Sequence, residues 1–316
     1  GVVAMKSPVN HQFRLARRPV GMVQRSDFEY VETPVAEPGD GEVLVKIQYI
    51  SLDPAMRGWM NAGKSYVPPV GIGEVMRAGA VGRVLATKDP SVAVGDHVVG
   101  ILGVQEYAVA KAKQLTRVDP RLAPLPVYLG TLGMPGMTAY FGLLDVGRAR
   151  AGDTVVVSGA AGAVGQVVGQ IAKIKGRHGV GIAGGSDKCA YLRSIGFDAA
   201  IDYKHEDVKA ALKQHCPKGV DVYFDNVGGE ILDAVLTRLR LHARIVLCGG
   251  ISQYNATGEP RGPANYLSLI SARGRMEGFV IIDYLDRAAE AVAAMAPWVQ
   301  AGKLKSRIDV VEGLEH

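Results

Sequence analysis

From Asp153 to Cys248 the chain alternates short apolar runs with helix-length amphipathic stretches, and this alternation constrains the fold more than anything else in it. Strand-type runs fall at 154–158, 179–183, 199–202, 220–225 and 244–248, with helical stretches at 163–175, 187–195, 206–215 and 229–240 between them. Repeated strand–helix units predict an α/β fold, a doubly wound parallel sheet with helices on both faces. A further apolar run, Met276 to Ile282, precedes an amphipathic segment, Leu285 to Ala301, that ends at Gly302.

The first part of the chain has a different texture. Residues 30–120 are dominated by short β-type runs such as Glu42 to Ser51, Ala80 to Ala86 and His97 to Leu102. Turn residues separate them, at Pro38-Gly39-Asp40-Gly41 and Val94-Gly95-Asp96. This predicts a small β-rich domain. Prolines and glycines interrupt the pattern across Leu122 to Gly147, where the boundary is expected, ahead of a helix around Thr138 to Leu144.

Composition excludes several classes. The three cysteines, Cys189, Cys216 and Cys248, are odd in number and form no CxxC pair, so neither a disulfide framework nor a structural zinc can be built from them. The uncharged windows Thr154 to Ala172 and Leu122 to Leu144 are broken by glycines and prolines, which argues against a membrane span. Gly1 to Lys6 shows no secretory pattern, so a cytoplasmic location is expected. The net charge of +5 is spread thinly and its tightest cluster is Arg14, Arg17 and Arg18, so no nucleic-acid partner is expected.

Thr154 to Ser158 runs directly into Gly159-Ala160-Ala161-Gly162-Ala163-Val164-Gly165 and then into a helical stretch. Strand, glycine turn and helix in that order put free N–H groups and the positive end of a helix against a pyrophosphate. The pattern is a dinucleotide fingerprint with Ala160 in the first glycine place. About 20 residues on, NAD sites carry an acid for the ribose hydroxyls. Here the second strand ends in Gly184-Gly185-Ser186-Asp187-Lys188. Small residues leave room for a 2′-phosphate, Ser186 can donate to it and Lys188 supplies charge, which favours NADP(H). The alternative is Asp187 as the ribose acid beside a solvated Lys188.

At these residues the chain resembles the zinc-independent branch of the medium-chain dehydrogenase/reductase superfamily, specifically its double-bond reductases of the prostaglandin, alkenal and curcumin types. The likeness rests on Leu52-Asp-Pro-Ala-Met-Arg57, the stretch Gly130 to Gly142, Gly159 to Gly165, Asp225-Asn-Val-Gly-Gly-Glu230, Ile251-Ser-Gln-Tyr-Asn255 and Glu277-Gly-Phe279. It implies a GroES-like catalytic domain over 1–125, completed by 300–316, and a Rossmann domain over 126–299 with the active site between the two. It also implies a homodimer. Relatives continue past the position of His316 with a stretch that completes the catalytic domain. In zinc-dependent members a cysteine ligand would stand near Ser51 to Pro54, and this chain has no cysteine before Cys189.

The activity implied is NADPH-dependent reduction of the carbon–carbon double bond of an enone or enal. Such a reaction needs a donor for the enolate oxygen, and a neutral phenol suits it. By resemblance Tyr254 and Tyr66 fill that role. Thr138 is implied near the nicotinamide, Lys188 and Tyr203 around the 2′-phosphate, and Asn226, Gly249, Ile251 and Ser252 along the cofactor. Asn226 also ends a predicted parallel strand, where ligands of open sheets bind. Two other readings share the cofactor site: an NADPH:quinone oxidoreductase and a non-catalytic NADP(H)-binding sensor. Substrate size is expected to be set by residues 63–73 and 255–265.

Overall fold

The computed structural model describes residues 9–53, 55–63, 67–249, 259, 261–308 and 310–315. The chain divides into two compact units, Gly1–Leu129 with Ile308–His316, and Gly130–Arg307.

The first unit is built on β3 (Glu42–Ile50) and β4 (Gly79–Thr87), an antiparallel pair at the centre of a five-stranded sheet. β5 (His97–Ile101), β6 (Tyr107–Lys111) and the short β7 (Thr116–Val118) complete it in the order β6-β3-β4-β5-β7. Val43, Val45, Ala80, Val84 and Val98 alternate inward along these strands and form the core. A separate antiparallel hairpin joins β1 (Val9–Leu15) to β2 (Phe28–Pro34). β1 lies outside the stretch read as β-rich, because two of its inward positions are Asn10 and Gln12. Their burial is offset by an amide ladder: Asn10 Nδ2 and Gln12 Nε2 donate to Gln105 Oε1 at 3.0 and 2.7 Å.

His11 on the same strand sits between two carboxylates, with Nδ1 on Glu106 and Nε2 on Glu32 at 3.1 Å, and stacks on Tyr30. The Tyr30 hydroxyl in turn donates to Glu315. The bond to Glu106 raises the His11 pKa above its ordinary 6.5. A raised histidine pKa gives stability that is fully present below the unfolded value and lost as pH rises through the folded one. His11→Gln is therefore expected to destabilise the protein more at about pH 5.5 than at about pH 8.5, which urea unfolding at the two pH values would show.

The second unit holds the parallel sheet. β8 (Thr154–Ser158), β9 (His178–Ala183), β10 (Ala199–Asp202), β11 (Val220–Asp225), β12 (Leu239–Leu247) and β13 (Arg275–Gly278) lie in the order β10-β9-β8-β11-β12-β13, and every pairing is parallel. This is the doubly wound Rossmann order. The chain winds outward from β8 to β10 and then returns to place β11 beside β8, so the carboxyl ends of β8 and β11 flank the point where winding reverses. After the short α1 (Ala55–Trp59) of the first unit, five helices of the second matter to the site: α2 (Met134–Phe141), α3 (Gly165–Ile174), α4 (Ser186–Ser194), α5 (Val208–His215) and α6 (Gly229–Leu236). Val156, Val180, Ile182, Ile201, Tyr223 and Ile245 fill the core beneath α5 and α6.

Several boundaries differ from the sequence reading; the helix expected around Thr138 to Leu144 lies earlier, at Met134–Phe141, and is followed by a π-helical turn, Gly142–Val146. α3 begins at Gly165, so Ala163 and Val164 belong to the turn. The helix expected to 240 stops at Leu236, and β12 starts at Leu239. The register between β11 and β12 shifts from Val220/Leu239 to Val222/Arg244, so the extra residues bulge, with His242 at φ +61°. A polar bulge hides the strand period, and Leu-Arg-Leu reads equally well as helix. The strand expected over 276–282 is confined to Arg275–Gly278, and a 3₁₀ turn, Ile281–Arg287, leads into the helix Ala288–Gln300.

Candidate functional site

The turn after β8 is shaped by close backbone packing. Gly159 has φ +55°, a left-handed conformation that favours glycine, and a Cβ there would lie 3.1 Å from Asn226 Cβ. A Cβ on Gly165 would overlap the Gly159 carbonyl oxygen and stand 2.8 Å from Ala160 Cα. Ala160 is fully buried and its N–H donates to the Ile182 carbonyl, so its part in the site is to anchor the turn on β9. Gly162 and Ala163 form an exposed lip, with Val164 half-buried behind it. The N–H groups of Ala163, Val164 and Gly165 have no backbone acceptor among the described residues, while those of Gln166, Val167 and Val168 are taken up by Gly162 and Val164. Free amides at a helix start, beside a surface without side-chain bulk, fit a pyrophosphate.

Asn226 closes the other side of the switch point. Its N–H donates to Ser158 Oγ at 3.0 Å and its Nδ2 to the Ser158 carbonyl at 2.8 Å, so it is locked to the end of β8. Asp225, one residue earlier and 1% exposed, organises what surrounds it. Its Oδ1 accepts from Tyr223 hydroxyl at 2.8 Å, Gly228 N–H at 2.9 Å, Ser158 Oγ at 3.1 Å and Val227 N–H at 3.3 Å. Its backbone carbonyl accepts from the N–H groups of Cys248 and Gly249, which ties β12 to the same knot. Burial outweighs the bonds to the carboxyl and pushes its pKa above the ordinary carboxylate value. In the sequence Asp225 stands only as the first residue of Asp225-Asn-Val-Gly-Gly-Glu230. An acid closing a strand whose six residues are all buried is the signal it carried. Asp225→Ala strands buried donors and is expected to cost about 2 kcal/mol, against less for Asp225→Asn, which keeps an acceptor oxygen. Urea unfolding of the two variants checks this.

At the end of β9, Gly184 and Gly185 lead into Ser186, Asp187 and Lys188, all three exposed on the first turn of α4. Tyr203, 44% exposed, follows β10 and reaches back to Gly184, where a Cβ would lie 3.0 Å from its hydroxyl. Strand ends that are adjacent in the sheet thus bring Gly184 and Tyr203 together. Asp202, not singled out from the sequence, joins them through hydrogen bonds from the N–H groups of Gly185 and Lys204.

Thr138 lies on α2, which packs against α3. Its hydroxyl donates to the Met134 carbonyl at 2.7 Å and so presents its lone pairs as an acceptor. The segment is seated by Gly142, where a Cβ would lie 2.6 Å from Phe224 and 2.7 Å from Phe279. Tyr66, Tyr254, Ile251 and Ser252 lie outside the described residues. Among the described residues no group of three His, Cys, Asp or Glu side chains gathers to hold a metal ion, and no helix is long and apolar enough to cross a membrane.

Comparison with known proteins covers both units. Residues 11–118 match the family described as the N-terminal domain of oxidoreductase, and residues 163–299 match the family described as zinc-binding dehydrogenase. The chain is 43% identical to the NADPH-dependent curcumin reductase of Escherichia coli, over 97% of this chain and 91% of that protein. It is 42% identical to the NADP(+)-dependent 2-alkenal reductase of Nicotiana tabacum, again over 97% and 91%. The crystal structure of CurA from Vibrio vulnificus in complex with NADPH superposes with a TM-score of 0.91 at 44% identity, over 96% of this chain and 92% of that one.

Proposed function

Because the chain belongs to the double-bond reductase branch of the medium-chain dehydrogenase/reductase superfamily, we propose that it is an NADPH-dependent reductase of the carbon–carbon double bond in α,β-unsaturated ketones and aldehydes. The observation that carries this reading is the glycine cradle at the switch point of the parallel sheet, closed by Asn226, in a chain that is similar over nearly its whole length to curcumin and alkenal reductases.

The residues divide the work by chemistry. Gly159 to Gly165 and the start of α3 hold the pyrophosphate, and Asn226 and Gly249 border the same crevice. Gly184, Ser186, Lys188 and Tyr203 take the 2′-phosphate, and Thr138 offers an acceptor to a carboxamide N–H. When bound, the nicotinamide supplies the hydride that adds to the β-carbon of the substrate. The charge then developing on the carbonyl oxygen needs a donor, a task that suits a neutral phenol and is assigned to Tyr254 and Tyr66. The chain has no cysteine near Ser51 to Pro54, where zinc-dependent relatives would carry a ligand, and the donor role therefore falls in this reading to phenols.

The test is oxidation of NADPH and of NADH by the purified protein with a 2-alkenal, an aryl enone and a benzoquinone in parallel. The reading expects NADPH-dependent turnover of the alkenal and enone with saturated carbonyl products. Turnover of the quinone alone would overturn it, and so would cofactor binding with no turnover of any of the three.

A further inference from the structure

Gly184 is crossed by two side chains, not one. A Cβ there would lie 2.8 Å from Lys204 Cε as well as 3.0 Å from Tyr203 Cε1. The end of the lysine stem therefore passes over the backbone that opens α4, on the side chosen for the 2′-phosphate. Its backbone is fixed. Asp202 Oδ1 accepts from the Gly185 N–H at 2.9 Å and the Lys204 N–H at 3.1 Å, Oδ2 pairs with His205 Nδ1 at 2.8 Å, and the Asp202 N–H donates to Glu206 Oε2 at 2.6 Å. The Gly185 bond, with that of His205 behind it, holds the Asp202 carboxyl below the usual carboxylate range. Its hydrogen bonds pin β9 to β10, and its ion-pair partner among the described residues is His205, not Lys204. Among the described residues neither Lys188 nor Lys204 forms an ion pair.

We propose that Lys204 is a second cation for the 2′-phosphate of the cofactor, acting with Lys188, and that Gly184 has no side chain because the Lys204 stem and the Tyr203 ring cross it. The assignment rests on the NADP(H) reading above and adds to it a residue that decides between the two cofactors. Two lysines approaching one phosphate from adjacent strand ends act as point charges that need no fork geometry. NAD(H), without the phosphate, gains nothing from either.

The wild-type protein and Lys204→Met, which keeps the stem and removes the charge, are titrated with 2′,5′-ADP and with 5′-AMP by calorimetry at two salt concentrations. Lys204→Met is expected to weaken 2′,5′-ADP about tenfold, to leave 5′-AMP unchanged and to flatten the salt dependence of the former. Lys204→Arg is expected to restore most of the loss. A Lys204→Met protein that binds both ligands as the wild type does, or loses both equally, overturns the assignment and leaves Lys204 as packing or solvated charge. A wild type that fails to prefer 2′,5′-ADP over 5′-AMP overturns the NADP(H) reading, and this assignment with it.

Discussion

Gly165→Val is expected to lower NADPH affinity by more than about 1000-fold, because the atoms in its way belong to the backbone that forms the cradle. A Cβ at 165 overlaps the Gly159 carbonyl oxygen and reaches Ala160 Cα at 2.8 Å. Neither can rotate aside. Gly159 is held against Asn226, and Ala160 is bonded to Ile182, so the start of α3 must move away from the turn. That movement separates the free amides from one another, and a phosphate no longer meets them together. Stability should fall as well, by about 2 kcal/mol for overpacking at a buried position. Gly58→Ala is the control, since a Cβ there meets nothing within 4 Å, and it is expected to bind NADPH as the wild type does. Fluorescence titration of NADPH on the three proteins, with urea unfolding measured beside it, distinguishes a lost cradle from a general loss of folding. Full binding by Gly165→Val would show that the turn does not hold the pyrophosphate.

Tyr254→Phe is expected to lower kcat about 100-fold while leaving NADPH affinity within about twofold, since an oxyanion donor contributes about 3 kcal/mol to the barrier and little to binding. The phenylalanine ring keeps the apolar body of the tyrosine and removes only the hydroxyl. Loss confined to kcat therefore reports on charge that develops during the reaction. Tyr66→Phe measured beside it divides the role between the two. Unchanged kcat in both single variants and in the double variant would remove the tyrosines from the chemistry and leave them as packing.

What was legible in the sequence follows from which physical signals are local. The parallel sheet was legible because β8 to β12 announce themselves as apolar runs at regular spacing, and the glycine turn because its residues are contiguous. The β1–β2 hairpin was not, because Asn10 and Gln12 face inward and find their partner at Gln105, about 95 residues away. The first half of β12 was not, because a bulge with a left-handed His242 breaks the two-residue period. Within the candidate site, the glycine turn is contiguous in the sequence, whereas Asp225 and Asp202 act through bonds between strand ends that only the sheet order brings together. Lys204 was hidden for the same reason. It lies 20 residues from Gly184 in sequence and beside it in space.

The central claim is that hydride reaches the β-carbon of a conjugated carbonyl. It is tested most directly by turning over an aryl enone with NADPH deuterated at the transferable position of the nicotinamide and locating the label in the product by NMR. The account predicts a saturated ketone with deuterium on the β-carbon and a proton from solvent on the α-carbon. Deuterium on a carbinol carbon, with the double bond intact, would contradict it.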